Sequence, residues 1–319
     1  MIRLVMLDQA DKARLDRIRP LLPSDWQLDS TASNDPADRL AALQGARLAI
    51  TGDAPVTAAM MAVPGLRAVH KWGVGFDGID LDAARRHGVR VLRTTGANSV
   101  AVAETTLGLI LAVNRNIARG HLAIHRGDWP KAALGPSSAT LSGRVVGIVG
   151  MGHIGQALAR LLRGFACKIL YTKRTPLTAA EEAELGACFA PLSELLAASD
   201  VVTLNCELSD STRNLIDRQR LSLMKPDAIL INAARGGVLV EADLADAIRN
   251  CHLRGAGVDV FSVEPIRPDN PLLGLDRVVL TPHLAALSAD GFAIGIQRMV
   301  ANFQAILSGQ DPRPEDVLV

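Results

Sequence analysis

The sequence has 319 residues, 49% of them hydrophobic, which is enough to fill more than one core, so two domains are expected. Thirty-four Lys plus Arg against 33 Asp plus Glu leave a net charge of +1, which argues against a nucleic-acid or membrane partner and for a small-molecule ligand. The opening Met-Ile-Arg-Leu-Val-Met-Leu-Asp has no signal-peptide core, and no apolar run approaches the roughly 18 residues of a spanning helix, so a soluble, cytoplasmic protein is expected.

From residue 2 to 94, β-rich runs at 3–7, 47–51, 67–72 and 89–93 alternate with helix-like segments at 10–21, 35–43 and 80–87. That rhythm predicts parallel strands with crossover helices. Residues 98–118 are apolar on most sides and predict one buried helix, and the turn-rich stretch 127–142 predicts a loop. A second strand series follows at 145–149, 169–172, 201–204, 228–232, 255–260 and 278–281, so both units read as α/β. A last helix over about 288–307 carries Phe292, Ile296, Met299, Val300, Phe303 and Leu307 on one face. Cys167, Cys188, Cys206 and Cys251 lack zinc-ligand spacing; they are expected to be reduced thiols, mostly in or near cores, and no metal site is expected.

The strand at 145–149 runs into Gly150-Met151-Gly152-His153-Ile154-Gly155 and then a helical stretch. This is the order a pyrophosphate site requires. Gly150 makes the tight turn, Gly152 lets phosphate approach the backbone, Gly155 lets the helix pack on the strand, and N–H groups at the helix start hold the negative charge. An NAD-selective site would place an acid at the end of the second strand, but here Thr172-Lys173-Arg174-Thr175 follows, with no acid before Glu181. Two cations and two hydroxyls suit a 2′-phosphate, so NADP is expected in preference to NAD, which stays possible; the bland alternative is a solvated pair of cations.

Arg235, Glu264 and His283 each follow one of three successive strands of the second unit, and such strand ends line the ligand crevice of an open parallel sheet. Taken singly, a strand-end Arg is more often a structural ion pair, a His is usually structural, and Glu264 beside Pro265 can be an ordinary surface carboxylate. Together they suit a keto acid, which needs a cation for its carboxylate and an acid to protonate the forming alkoxide. A nearby Glu264 would favour the imidazolium of His283. His70, His87, His121, His125, His153 and His252 are read as structural on their own sequence context.

These residues, with Lys71-Trp72-Gly73-Val74-Gly75-Phe76-Asp77-Gly78-Ile79-Asp80, Asn98–Glu104, Asn232–Gly237, Gly257-Val258-Asp259-Val260-Phe261 and Thr281-Pro282-His283-Leu284-Ala285, make the chain resemble the D-isomer-specific 2-hydroxyacid dehydrogenases. That group includes the phosphoglycerate, lactate, glyoxylate/hydroxypyruvate, formate and phosphite enzymes. The resemblance implies two doubly wound parallel-sheet domains: a Rossmann cofactor domain at 99–286 inserted in a flavodoxin-like substrate domain at 1–98 and 287–319, with a homodimer built around the cofactor domains. It implies that Arg235, Glu264 and His283 are catalytic. Val74 and Gly75 would hold the substrate carboxylate. Lys71 would either attract a further anionic group or be merely solvated. Thr106, His153, Ile154, Cys206, Ala233 and Asp259 match cofactor-contacting positions, Asp259 at the nicotinamide end.

Lys173 stands where the family has an acidic ribose ligand, and Arg174 resembles the basic residue of NADP-using glyoxylate/hydroxypyruvate reductases. Glu207 replaces a usual proline, and Glu264 disfavours the formate subgroup, which carries Gln there. No appended regulatory domain is expected. Hydride transfer between NAD(P)H and a small 2-keto acid, of glyoxylate/hydroxypyruvate or 3-phosphoglycerate type, is therefore expected. The rivals are phosphite oxidation and a non-catalytic, NAD(P)-sensing co-repressor.

Overall fold

The computed structural model describes residues 1–73 and 75–319. It divides into two compact units, Met1–Asn98 with Leu287–Val319, and Ser99–Ala286.

In the first unit, β1 (Ile2–Met6), β2 (Trp26–Ser30), β3 (Leu48–Thr51), β4 (Ala68–Lys71) and β5 (Arg90–Arg93) form a wholly parallel sheet in the order β2-β1-β3-β4-β5. Three of its helices, Lys12–Ile18, Pro36–Ala42 and Leu81–His87, begin where Asp11, Asp35 and Asp80 accept a backbone N–H of the first turn. The helix Ala289–Ser308 covers one sheet face: Ile296, Met299, Val300, Phe303 and Ile306 pack on Leu4, Met6, Leu48, Ile50 and Leu92. Beneath it lies a buried polar set. Asp316 is fully buried, takes two 2.7 Å bonds from Arg298, and accepts from Thr95 N at 2.8 Å and Asn302 at 3.0 Å. His70 is fully buried between the Lys71 carbonyl at Nδ1 (2.9 Å) and the Asn302 amide at Nε2 (3.2 Å). Burial lowers its pKa to about 4, against opposition from the Lys71 carbonyl and the Asp316 charge.

In the second unit, β6 (Val145–Val149), β7 (Lys168–Thr172), β8 (Ala187–Phe189), β9 (Val201–Leu204), β10 (Ile229–Asn232), β11 (Gly255–Val258) and β12 (Val278–Leu280) pair in parallel as β12-β11-β10-β9-β6-β7-β8. The strand order reverses between β6 and β9, and the crevice at such a switch point is where an open α/β sheet binds its ligand. Apolar layers cover both sheet faces, as a parallel sheet requires.

Beyond the unpredicted edge strands β2 and β8, the structure differs from the sequence expectation at several points. The single helix over 98–118 is in fact Ser99–Asn114 followed by Ile117–His125, bent by 66°. Asn116 adopts left-handed φ of 54°, stabilised there by side-chain bonds to Leu134 O (3.2 Å) and Ser137 Oγ (2.9 Å). The 127–142 stretch contains one helical turn, Lys131–Leu134, and a 3-10 turn, Gly135–Ser137. Among the described residues no single helix is long and apolar enough to cross a membrane. The cysteines are free, but Cys188 and Cys251 are exposed rather than close to a core.

Candidate active site

The turn after β6 is built around its glycines. Gly150 has φ of +101°, and a Cβ there would lie 2.6 Å from the Asn205 carbonyl carbon and the Cys206 nitrogen, so the turn fits only glycine against the segment after β9. A Cβ on Gly155 would lie 2.3 Å from the Gly150 carbonyl oxygen, the mark of close helix-on-strand packing. Gly152 differs: nothing lies within 4 Å of its Cβ position, and no side chain caps the helix His153–Leu162 that follows it. The open side of Gly152 and the uncapped first turn fit the diphosphate of a dinucleotide.

His153 is exposed there, while Ile154 packs in a small apolar cluster with Val102, Ala233, Ala285 and Ala286. The cluster brings together Ile154 and Ala233, two positions matched to cofactor contact. Thr106 is fully buried, and its hydroxyl bonds the Val102 carbonyl at 2.7 Å within its own helix. Burial pushes the Cys206 thiol up to about 11, so it stays neutral.

At the end of β7, Arg174 and Thr175 are exposed and Lys173 is half-buried. The sequence offers no acid in that turn, but the fold supplies one from elsewhere. Glu207, after β9, places Oε1 3.9 Å from Arg174 Nη2, with both side chains largely exposed.

Arg235, Asp259 and His283 follow β10, β11 and β12, neighbours in one parallel sheet. Asn232 shapes the first of these turns by accepting from Ala234 N (3.1 Å) and donating to Arg235 O (3.1 Å), and Arg235 Nη1 donates to Ala234 O at 2.7 Å. Gly236 lets this turn lie on the β11 loop; a Cβ there would sit 1.9 Å from the Phe261 carbonyl carbon.

The Asp259 side chain is fully buried and braces the His283 loop. It accepts from Thr281 Oγ1 (2.6 Å), Leu284 N (2.9 Å) and Ala285 N (3.0 Å), while its carbonyl accepts from His283 N at 2.8 Å. The loop in turn holds His283 at left-handed φ of 50°.

His283 Nδ1 lies 2.7 Å from Glu264 Oε2, and Glu264 Oε1 accepts from Phe261 N at 2.8 Å. Burial opposes charge on Glu264, but the His283 and Phe261 hydrogen bonds and the charges of His283 and Arg235 outweigh it, holding the carboxyl below the usual carboxylate range. Glu264 is therefore ionised at neutral pH. An imidazole bonded at Nδ1 to a carboxylate is fixed in orientation, and proton transfer falls to Nε2.

In the other unit, Lys71 ends β4, its side chain 13% exposed and its Nζ 3.8 Å from Asp53 Oδ1, so it is not a freely solvated cation. Gly75 lies in the loop beyond, and Val74 lies outside the described residues. Among the described residues no group of three or more His, Cys, Asp or Glu is placed to hold a metal ion. Asn232 opens the 232–237 run that the sequence marks, whereas composition carried no signal for the brace Glu241, which is buried at the start of the helix Glu241–Arg249 and whose carboxylate accepts from Ser262 N at 2.6 Å.

Residues 107–285 match the family model described as D-isomer specific 2-hydroxyacid dehydrogenase, NAD binding domain. The chain is 40% identical over 262 residues to a formate dehydrogenase of Chaetomium thermophilum, covering 77% of this chain and 70% of that one. It is 39% identical over 257 residues to a glyoxylate reductase of Pyrococcus furiosus, covering 78% and 75%. Among solved structures, the TT0316 protein of Thermus thermophilus superposes with a TM-score of 0.88 at 34% identity, covering the whole of both chains.

Proposed function

This chain belongs to the D-isomer specific 2-hydroxyacid dehydrogenase family, and from that premise we propose that it reduces a small 2-keto acid of the glyoxylate or hydroxypyruvate type to the D-2-hydroxy acid, with NADPH preferred to NADH. It is an oxidoreductase acting on CH–OH groups with a nicotinamide cofactor. The observation that supports keto-acid reduction is the 2.7 Å pairing of His283 with an ionised Glu264, within reach of the Arg235 charge.

A reduced nicotinamide supplies the hydride when bound. The Arg235 guanidinium grips the substrate carboxylate, for which its planar pair of donors is suited. His283, kept cationic by Glu264, donates the Nε2 proton to the oxygen as it gains negative charge. In the oxidative direction the same imidazole, neutral, removes the hydroxyl proton. Asp259 keeps the imidazole loop in place through four hydrogen bonds, its carbonyl included. The unit Ser99–Ala286 is the cofactor domain in this reading, with Gly150, Gly152 and Gly155 on the diphosphate. The other unit is the substrate domain in this reading, with Lys71, Val74 and Gly75 as its substrate-binding residues.

The cofactor preference rests on Lys173 and Arg174. Glu207 competes for Arg174, but an exposed ion pair contributes about 0–1 kcal/mol, whereas a charge-assisted bond to a phosphate contributes about 1.5–3 kcal/mol. A preference of about tenfold for NADPH follows, every 1.4 kcal/mol being tenfold. Replacing Lys173 by Asp and Arg174 by a neutral residue is expected to abolish it through the NADPH Michaelis constant.

The exposed apolar side chains Ile117, Leu122, Ile124 and Trp129, the last 79% exposed, support a homodimer through this unit, which light scattering tests. The free thiols support a cytoplasmic location.

The formate dehydrogenase relative favours a second reading, formate oxidation. That reaction moves a hydride and leaves no oxygen to protonate, so it gives the Glu264–His283 pair no proton to deliver. Assays with glyoxylate, hydroxypyruvate and 3-phosphohydroxypyruvate against NADPH and NADH, and with formate and phosphite against the oxidised cofactors, separate the readings. Turnover with formate or phosphite alone defeats the keto-acid proposal, and no turnover with any of them favours a binding protein.

A further inference from the structure

We propose that Glu241, which touches none of the reacting groups, is a positioning residue that pins the Phe261–Ser262 peptide and so holds Glu264 against His283. The inference rests on the acid–base reading of Glu264 and His283 given above. Glu241 is the first residue of its helix and only 8% exposed. Its Oε1 accepts from Ser262 N at 2.6 Å, and its Oε2 accepts from Asn270 Nδ2 at 2.6 Å. Asn270 cannot turn its amide over without loss, because its Oδ1 accepts from Leu272 N at 3.0 Å. Both Glu241 oxygens therefore face donors.

Two consecutive amides thus end on two carboxylates: Phe261 N on Glu264 and Ser262 N on Glu241. The same peptide lies against Gly236, where a Cβ would sit 2.1 Å from the Phe261 oxygen and 2.3 Å from the Ser262 nitrogen. The peptide is thus in contact with the turn that carries Arg235 and hydrogen-bonded to the carboxylate of Glu241. A buried carboxylate held by neutral donors is an unfavourable way to brace a loop, even with the help of the helix dipole. What it secures is the placement of Phe261 N, and through it Glu264. The Arg235 charge acts on Glu264, and Asp259, whose carbonyl accepts from His283 N and whose carboxylate holds the 284–285 amides, is not touched by a change at Glu241.

The test is the pH dependence of keto-acid reduction, with Glu264→Gln as reference. Glu241→Gln puts an amide N–H against one of two donors. Its alkaline limb is expected to move to lower pH by about half to one unit, in the direction of Glu264→Gln, with the NADPH Michaelis constant unchanged. In the double variant Glu241→Gln/Glu264→Gln no further movement is expected, because the two act on one contact. Adding Asn270→Asp to Glu241→Gln restores the profile, since the glutamine amide then donates to the new carboxylate.

A merely structural role lowers the melting temperature and leaves the limb where it was, and that result overturns the proposal. So do shifts that add in the double variant. If Glu241→Gln does not fold, Asn270→Ala at the surface turn is expected to give a smaller shift of the same sign, and an unmoved limb there is equally fatal. If Glu264→Gln itself moves nothing, the acid–base reading falls first and this inference with it.

Discussion

Gly152 ends the turn after β6 and Gly155 stands three residues on, in the first turn of the helix His153–Leu162, and substituting each by alanine separates cofactor binding from folding. Gly155→Ala places a methyl 2.3 Å from a backbone oxygen, so the helix must lift from the strand. Overpacking of this kind costs about 1–3 kcal/mol. For a unit of this size each kcal/mol is worth about 2–4 °C, so melting is expected to fall by roughly 2–12 °C. Gly152→Ala meets nothing within 4 Å, and its φ of −86° suits alanine, so the melting temperature without cofactor is expected to hold or rise slightly. Its methyl instead stands where a diphosphate would approach the backbone, and losing about 1.4 kcal/mol there weakens NADPH tenfold. Fluorescence titration of NADPH alongside thermal melts reads both quantities. Unchanged NADPH affinity in Gly152→Ala would refute placing the diphosphate on this turn, and an unchanged melt in Gly155→Ala would refute the packing argument.

Other outcomes follow from the remaining contacts. His283→Ala is expected to lower turnover at least about a hundredfold while NADPH still binds in titration, as for a lost general acid; near-normal turnover rejects the assignment. Glu264→Gln removes the negative neighbour of the imidazole, so the alkaline limb of reduction and the acidic limb of oxidation both move to lower pH, and limbs that stay in place uncouple the pair. His70 is held neutral by burial, its pKa lowered from 6.5 to about 4, so the unfolded chain takes up a proton that the fold refuses. Stability is then full above pH 6.5 and declines toward pH 4 by about 3 kcal/mol. Urea midpoints measured across that range check it, and His70→Gln should flatten the slope.

How much was legible in the sequence depended on whether the cause was local. Strands buried on both faces, such as β6 and β9, announce themselves as apolar runs, and the glycine turn reads directly as backbone chemistry. The edge strands β2 and β8 do not: Trp-Gln-Leu-Asp-Ser buries little beyond Leu28, and Ala-Cys-Phe is only three residues long, so each is a strand because a neighbour pairs with it. The bend at Asn116 depends on oxygens 18 and 21 residues further along, which no window over the helix contains.

The candidate site divides in the same way. That Arg235, Glu264 and His283 follow successive strands is a matter of chain order and could be read. That Glu207 reaches Arg174 from another loop, and that Asp259 commits its carboxylate to the loop beside it, are tertiary facts. Tyr171 makes the same point: fully buried on β7, it donates to Glu182 and accepts from Leu177 N, both at 2.8 Å, and so shapes the turn after Lys173 and Arg174 without showing in any motif.

The first unit is written in two pieces of chain, with 188 residues of the other unit between them. On a ribosome adding about 5–20 residues per second, β1 to β5 emerge roughly 10–40 seconds before the helix Ala289–Ser308 that covers Leu4, Met6, Leu48 and Ile50. Throughout that interval the nascent sheet carries a bare apolar face, and Asp316, the acceptor for Thr95 N, has not yet been made. The second unit, continuous in sequence, faces no such wait. Translation order therefore leaves the sheet a client for chaperones until the final turns of synthesis, and shortening the delay, as a circular permutation that places Leu287–Val319 ahead of Met1 would do, should raise the yield of folded protein at elevated temperature.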